Sequence, residues 1–145
     1  MKADQRTTAE VTQTFKAMFE AYKKKDLQTT LSHWAPDPDL VAIGTGADEK
    51  AVGLTQFTES LKRDWAQGEL KSIGVTDFTV SASGLVAWFS AGVTFRGTST
   101  DGDFDFQARL TGVMEKRNGK WLWVQMHLST PSCTQEHGHS WPTSP

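Results

Sequence analysis

At 145 residues the chain has room for one domain with a real core and little room for a second. Apolar residues at 37% and charged residues at 22% suit a soluble globular protein, and a formal net charge of −2 leaves no electrostatic footprint for nucleic acid. No apolar run nears the roughly 18 residues a membrane span needs, the polar N-terminus does not read as a secretory signal, and the single Cys133 excludes an internal disulfide, so a cytoplasmic location is the default expectation.

Thr7-Thr8-Ala9-Glu10 matches a capping box, and Val11, Phe15, Met18, Phe19 and Tyr22 follow at helical spacing, which predicts a first helix from about Thr8 to Lys25. Lys23-Lys24-Lys25 at its end complements the helix dipole. Asp26 caps a second, shorter helix carrying Leu27, Leu31 and Trp34, which Ala35-Pro36-Asp37-Pro38 ends. Leu40 to Ile43 reads as a short buried strand, with a loop at Gly44 to Asp48. Gly53 precedes a third helix whose stripe is Leu54, Phe57, Leu61 and Trp65, stopping at Gly68, with Asp64 bordering the stripe.

From Leu70 the period becomes two. Ile73 and Val75 alternate in one phase and Phe78 and Val80 in the other, so a bulge or sharp bend is expected at Thr76-Asp77. After a turn at Ser81 to Gly84, Leu85 to Phe95 alternates again, its opposite face holding Val86, Trp88, Ser90, Thr94 and Arg96. Gly97 to Asp103 reads as a polar connection.

The last hairpin, Phe104 to Ser129, turns at Arg117-Asn118-Gly119-Lys120. A two-residue turn would set Gly112 beside Gln125 and mix the faces. A three-residue loop with Gly119 as a bulge pairs Lys116 with Lys120 and segregates the hairpin cleanly. It puts Phe104 to Met114 (even positions) with Leu122, Val124, Met126 and Leu128 on an apolar face. The other face then carries Asp105, Gln107, Arg109, Thr111 and Glu115 with Trp121, Trp123, Gln125, His127 and Ser129. The bulged turn is the expectation. The folded unit is expected over residues 1–131, with 132–145 a flexible tail.

Three groups of residues could carry chemistry. His127, flanked by Gln125 and Ser129 and facing Arg109 or Thr111 across the hairpin, is either a general base or anion holder, or part of a dimer interface. Asp64, at the edge of an apolar stripe, is either a desolvated base or a surface carboxylate beside Lys62 and Arg63. Trp34, Trp65 and Trp88 either wall a pocket for a ring-shaped ligand or fill the core. Six tryptophans exceed ordinary core needs. Tyr22, the single tyrosine, is either a phenolic donor or a packing residue. Cys133, Glu136, His137 and His139 form a short tract of metal-ligand types without the spacing of an ordered site, so no metal site is expected.

Helices first, then long bent antiparallel strands, predict an α+β layer whose sheet curls round the helices. This order, with Trp34-Ala35-Pro36-Asp37-Pro38-Asp39-Leu40, Val86-Ala87-Trp88, Leu110-Thr111-Gly112-Val113, Gly119-Lys120-Trp121 and Gln125-Met126-His127-Leu128-Ser129, resembles the nuclear transport factor 2-like superfamily and its SnoaL-like group. The closing segment also resembles the association domain of calcium/calmodulin-dependent kinase II. The resemblance, over about Thr8 to Pro131, implies a cone-shaped, cystatin-like roll, frequently dimeric through the outer face of the sheet, that hosts many activities.

It also implies what to check. A ketosteroid-isomerase site would place a carboxylate in the first strand after the second helix, where Leu40 to Ile43 carries none; Asp39 lies just before it, and Tyr22 sits about a turn beyond the family's tyrosine. The kinase domain's arginine-lined cavity falls at Ser90, Gly112 and Leu128, so an acidic ligand held that way is not expected.

The first expectation is therefore a homodimeric, cofactor-independent domain binding a hydrophobic small molecule in an apolar cone lined by Trp34, Phe57, Leu61, Trp88, Met114 and Met126, with Gln125 as a further contact. The alternative is an acid–base enzyme of the cyclase, isomerase or dehydratase type acting on a hydrophobic carbonyl compound, with Asp64 or His127 as base and Arg109, Gln125 or a Trp donor stabilising negative charge. A second alternative is an oligomerisation module without ligand.

Overall fold

The computed structural model describes residues 1–144; of the expected tail, Pro145 lies outside the described residues. Helix α1 (Gln5–Lys23) begins earlier than the capping box suggests, because Asp4 accepts from Thr7 N at 2.7 Å and caps it. Glu10 is thereby released to reach the far end of the sheet. Val11, Phe15, Met18 and Phe19 are its buried stripe.

Asp26 caps helix α2 (Leu27–Ser32), accepting from Thr29 N at 3.1 Å. Trp34, expected on that helix, lies beyond it. His33 O accepts from Trp123 N at 2.8 Å and Ala35 N donates to Trp123 O at 2.9 Å, so the segment joins the sheet edge. Strand β1 (Val41–Ile43) matches expectation, whereas β2 (Lys50–Val52) gave no sequence signal. Helix α3 (Gly53–Gln67) starts on a glycine at φ 80°, where an added Cβ would lie 3.2 Å from Pro38 O.

Strands β3 (Gly68–Ser83), β4 (Val86–Ser99), β5 (Gly102–Arg117) and β6 (Lys120–Ser129) complete the sheet, ordered β2-β1-β6-β5-β4-β3. Their neighbouring pairs are antiparallel, and β1 lies parallel to β6. The bend expected at Thr76-Asp77 is present: the β3–β4 register shifts between Thr76 and Thr79, and Asp77 takes φ 52°. This turns Phe78 inward against Phe15 and Phe89, with ring centroids 5.1 and 5.3 Å away. The connection expected over Gly97 to Asp103 is instead strand almost throughout, with Gly97 paired to Phe104 and Ser99 to Gly102.

The last hairpin corrects the expected register. Arg117 pairs with Lys120 around a two-residue turn in which Asn118 and Gly119 take φ 50° and 77°, both positive as a type I′ turn requires. The faces are not mixed, because the bulge lies within β6. Met114 pairs with Trp123 and Val113 with Gln125, leaving Val124 without a partner. Trp121 and Trp123, expected outside with His127, are consequently buried with Met114, and beyond Val124 the inward positions become Met126 and Leu128. Arg117 ties the turn to the post-α2 loop through Asp37 at 2.8 and 2.5 Å.

The core is aromatic at the closed end of the curled sheet. Trp34 stacks on Trp123 at 5.4 Å and meets Phe57 at 4.2 Å, while Phe15 and Phe89 lie against Trp123 at 5.8 and 5.0 Å. No described helix is long and apolar enough to cross a membrane.

Candidate functional site

The curled sheet, α1 and α3 leave a cavity of about 400 Å³ that begins beyond Phe57, the ring packed on Trp34. Helix α1 supplies Met18, Phe19 and Tyr22; α3 supplies Phe57, Leu61, Asp64 and Trp65; the strands supply Phe95, Phe104, Phe106, Met126 and Leu128. The helical spacing that makes a core stripe at the N-terminal turns of α1 and α3 continues past the end of the packed core. The last members of each stripe therefore wall a space instead of filling one.

Among its polar lining residues, which include Glu49, Arg63 and Glu69, two are joined to each other. The Tyr22 hydroxyl donates to Asp64 Oδ2 at 3.0 Å. Burial raises the Asp64 pKa above the usual carboxylate range; the Tyr22 hydrogen bond opposes that rise, Glu49 adds to it and Arg63 opposes it. The Tyr22 phenol is pushed far upward by burial and by the charge of Asp64, so it keeps its proton and acts as donor. The tilted rings of Tyr22 and Trp65 have centroids 5.7 Å apart.

A strap, the loop from Gly44 to Glu49, forms part of the lining. Arg63 binds Asp48 at 2.8 Å and Glu49 at 3.3 Å, and Glu49 accepts from Gly46 N at 2.7 Å, so the loop from Gly44 to Glu49 is tied to α3. Lys25 donates to Trp65 O at 3.0 Å on the helix side. A partly desolvated carboxylate with a tyrosine donor, inside apolar walls, can hold the polar end of an apolar molecule or exchange a proton with it.

The candidate residues separate into distinct places. Asp64, Phe57, Leu61 and Met126 line the cavity, together with Trp65 and Tyr22. Trp34 and Met114 are buried in the closed end, at 2% and 0% exposure, and do not border the cavity. Trp88, Gln125, His127 and Arg109 lie on the opposite, outer face of the sheet. There Trp88, Gln125 and Thr111 border a shallow hollow of about 340 Å³, His127 pairs with Thr111, and Arg109 donates to Ser129 Oγ at 3.1 Å and Thr130 O at 3.3 Å. The sheet thus separates Asp64, which lines the cavity, from His127, Arg109 and Gln125 on the outer face. The register expected for the hairpin put Trp121 and Trp123 on the outer face beside His127, whereas both are buried on the inner side.

Glu49, Phe104 and Phe106 were missed as cavity residues. Glu49 had no signal beyond its place after a glycine loop, and the two phenylalanines were visible only as part of the hairpin's apolar face. Among the described residues, no group of three or more His, Cys, Asp or Glu side chains is placed to hold a metal ion.

Residues 11–132 match the family of SnoaL-like domains. No curated protein matches the chain. Among solved structures it is similar to a candidate dehydratase of the NTF2-like family from Streptomyces avermitilis, with TM-score 0.79 and 17% identity over 88% of this chain and 98% of that one. It is similar also to a ketosteroid isomerase-like protein from Erwinia carotovora atroseptica, with TM-score 0.70 and 16% identity over 89% and 99% of the two chains. A third is a candidate calcium/calmodulin-dependent protein kinase II association domain from Xanthomonas campestris, with TM-score 0.67 and 25% identity over 89% of each chain. At such identity the first two likenesses speak for the fold alone. With a family match running from within α1 to just past β6, an α+β curled sheet and these structural neighbours, the chain belongs to the SnoaL-like domain family.

Proposed function

We propose that this SnoaL-like domain binds a hydrophobic small molecule in the cavity between α1, α3 and the curled sheet, with the molecule's polar end at Tyr22 and Asp64. One observation carries the reading: largely aromatic and aliphatic walls border an open cavity of about 400 Å³ that holds the hydrogen-bonded Tyr22–Asp64 pair. The binding unit is residues 1–131, with 132–145 outside it, and the lone exposed Cys133 supports a reducing, cytoplasmic setting.

Native mass spectrometry of the protein as purified from cells tests this. A reproducible extra mass is expected, lost when Leu61→Trp fills the cavity. A ligand-free protein that also takes up no hydrophobic probe overturns the reading and leaves an assembly module as the better description.

The desolvation of Asp64 favours a second reading, a cofactor-independent acid–base enzyme acting on a hydrophobic carbonyl compound. Asp64 would be the base and Tyr22 the hydrogen-bond donor, without His127 or Arg109. On this reading Asp64→Asn retains the bound compound and abolishes its turnover; turnover that survives the substitution removes Asp64 from the mechanism.

Dimerisation belongs on the outer face. Trp88 and Val86 are 37% and 39% exposed there, and Val113, Leu122, Gln125 and His127 extend the patch across β5 and β6.

A further inference from the structure

We infer that the cavity selects a hydrophobic organic cation, a protonated amine on an apolar body, over neutral or anionic molecules of the same shape. This rests on the binding reading above and names the ligand class for that site.

Charge is the first argument. The ionisable cavity residues besides Tyr22 are Glu49, Asp64 and Glu69 on the acidic side and Arg63 on the basic side. The Arg63 guanidinium is already engaged by Asp48 and Glu49, and nearby Lys25 places its ammonium on the Trp65 carbonyl. Glu49 is spent on the same ion pair and on Gly46 N, which leaves the carboxylates of Asp64 and Glu69. An anionic ligand meets like charge there and has no uncommitted cation to pair with.

Geometry is the second argument. Asp64 Oδ2 takes the Tyr22 hydroxyl, while Oδ1 has no donor among the described residues. An ammonium brings three donors and no acceptor, which suits a carboxylate with acceptor capacity to spare. Beside it stand the rings of Tyr22 and Trp65, 5.7 Å apart and inclined at 53°, and a cation close to aromatic faces is stabilised by their quadrupoles. Burial makes the Asp64 charge unfavourable when alone, and a bound cation relieves that cost.

The pH dependence follows. Tyr22 from α1, Lys25 just beyond it, Glu49 from the strap, Arg63 from α3 and Glu69 from β3 face or neighbour Asp64. Binding of the cation weakens as acid protonates Asp64, starting at a higher pH than for an ordinary carboxylate because its pKa is raised.

Isothermal titration of the full chain at pH 7 with phenylpropylamine, phenylpropanol and phenylpropionate tests the inference. The amine is expected to bind about tenfold or more tightly than the alcohol, with the acid weakest. Asp64→Asn should level amine and alcohol. Equal or tighter binding of the alcohol overturns the cation assignment while leaving the hydrophobic-binding reading intact. An amine preference that persists in Asp64→Asn overturns the role given to Asp64. Binding of none of the three, together with a ligand-free protein in native mass spectrometry, overturns both readings.

Discussion

Tyr22 donates its hydroxyl to Asp64 Oδ2 at 3.0 Å and so joins the end of α1 to the end of α3 across 42 positions of sequence. In Tyr22→Phe that donor is lost while burial and Glu49 continue to act. The Asp64 titration is expected to move further upward, because the hydrogen bond that favours its ionised form is gone. A carbon-detected NMR titration of the Asp64 carboxyl checks this, and an unchanged midpoint means the bond is not made in solution.

Asp64 bears on stability in the opposite sense to a paired carboxylate. Its folded pKa lies above the unfolded value, so its charged form disfavours the fold at neutral pH, and this penalty fades as pH falls through the folded pKa. Asp64→Asn should therefore raise the thermal midpoint at pH 7, with the gain over wild type shrinking on acidification. Differential scanning calorimetry across pH would reveal a constant offset if the effect were not electrostatic.

Glu10 shows the usual sign. It accepts from Lys116 Nζ and Trp121 Nε1, each at 2.8 Å, and from Arg6 Nε at 3.0 Å, and these bonds bring its pKa from 4.5 down to about 2. Its contribution is complete above the unfolded pKa and is lost as pH falls from about 4.5 toward about 2. Glu10→Gln should be less stable than wild type at pH 7 and should lose less on acidification through that window. Urea midpoints that fall in parallel for both proteins would remove Glu10 from the acid response.

Gly112 lies under Phe89 and Trp123. A Cβ there would stand 2.4 Å from Phe89 Cζ and 2.9 Å from Trp123 Cζ3. Gly112→Ala should cost about 1–3 kcal/mol in urea denaturation, as overpacking typically does. A neutral substitution would mean the closed end is looser than these distances imply.

Trp88→Asp introduces a charge on the outer face, on the other side of the sheet from the cavity. Sedimentation velocity should show a dimer for wild type and a monomer for the variant, with ligand binding retained. A variant that remains dimeric places the interface elsewhere.

The order of helices and strands was legible because each element carries its own period, and even the bend at Asp77 was visible as a change of apolar phase between Val75 and Phe78. The same kind of phase change in β6 was not, because Trp121-Leu122-Trp123-Val124 is apolar at every position and so has no phase to read. The bulge was accordingly placed at the turn, which carried Trp121 and Trp123 to the wrong face. Strand β2 is three residues long, too short for any period. Asp64 stood out as a polar neighbour of a buried stripe. Its partnership with Tyr22 depends on how α1 and α3 come together, which no local pattern encodes.

The irregularity at Val124 lets one strand serve two materials. On the turn side its inward residues are indoles packed into a solid plug; on the other side they are the flexible side chains of Met126 and Leu128, which floor an open space. Inserting or deleting one residue beside the bulge would exchange inside for outside over half the strand. Replacing Met126 or Leu128 would instead resize the cavity without disturbing the plug. The arrangement keeps what holds the domain together apart from what can be altered to change its guest.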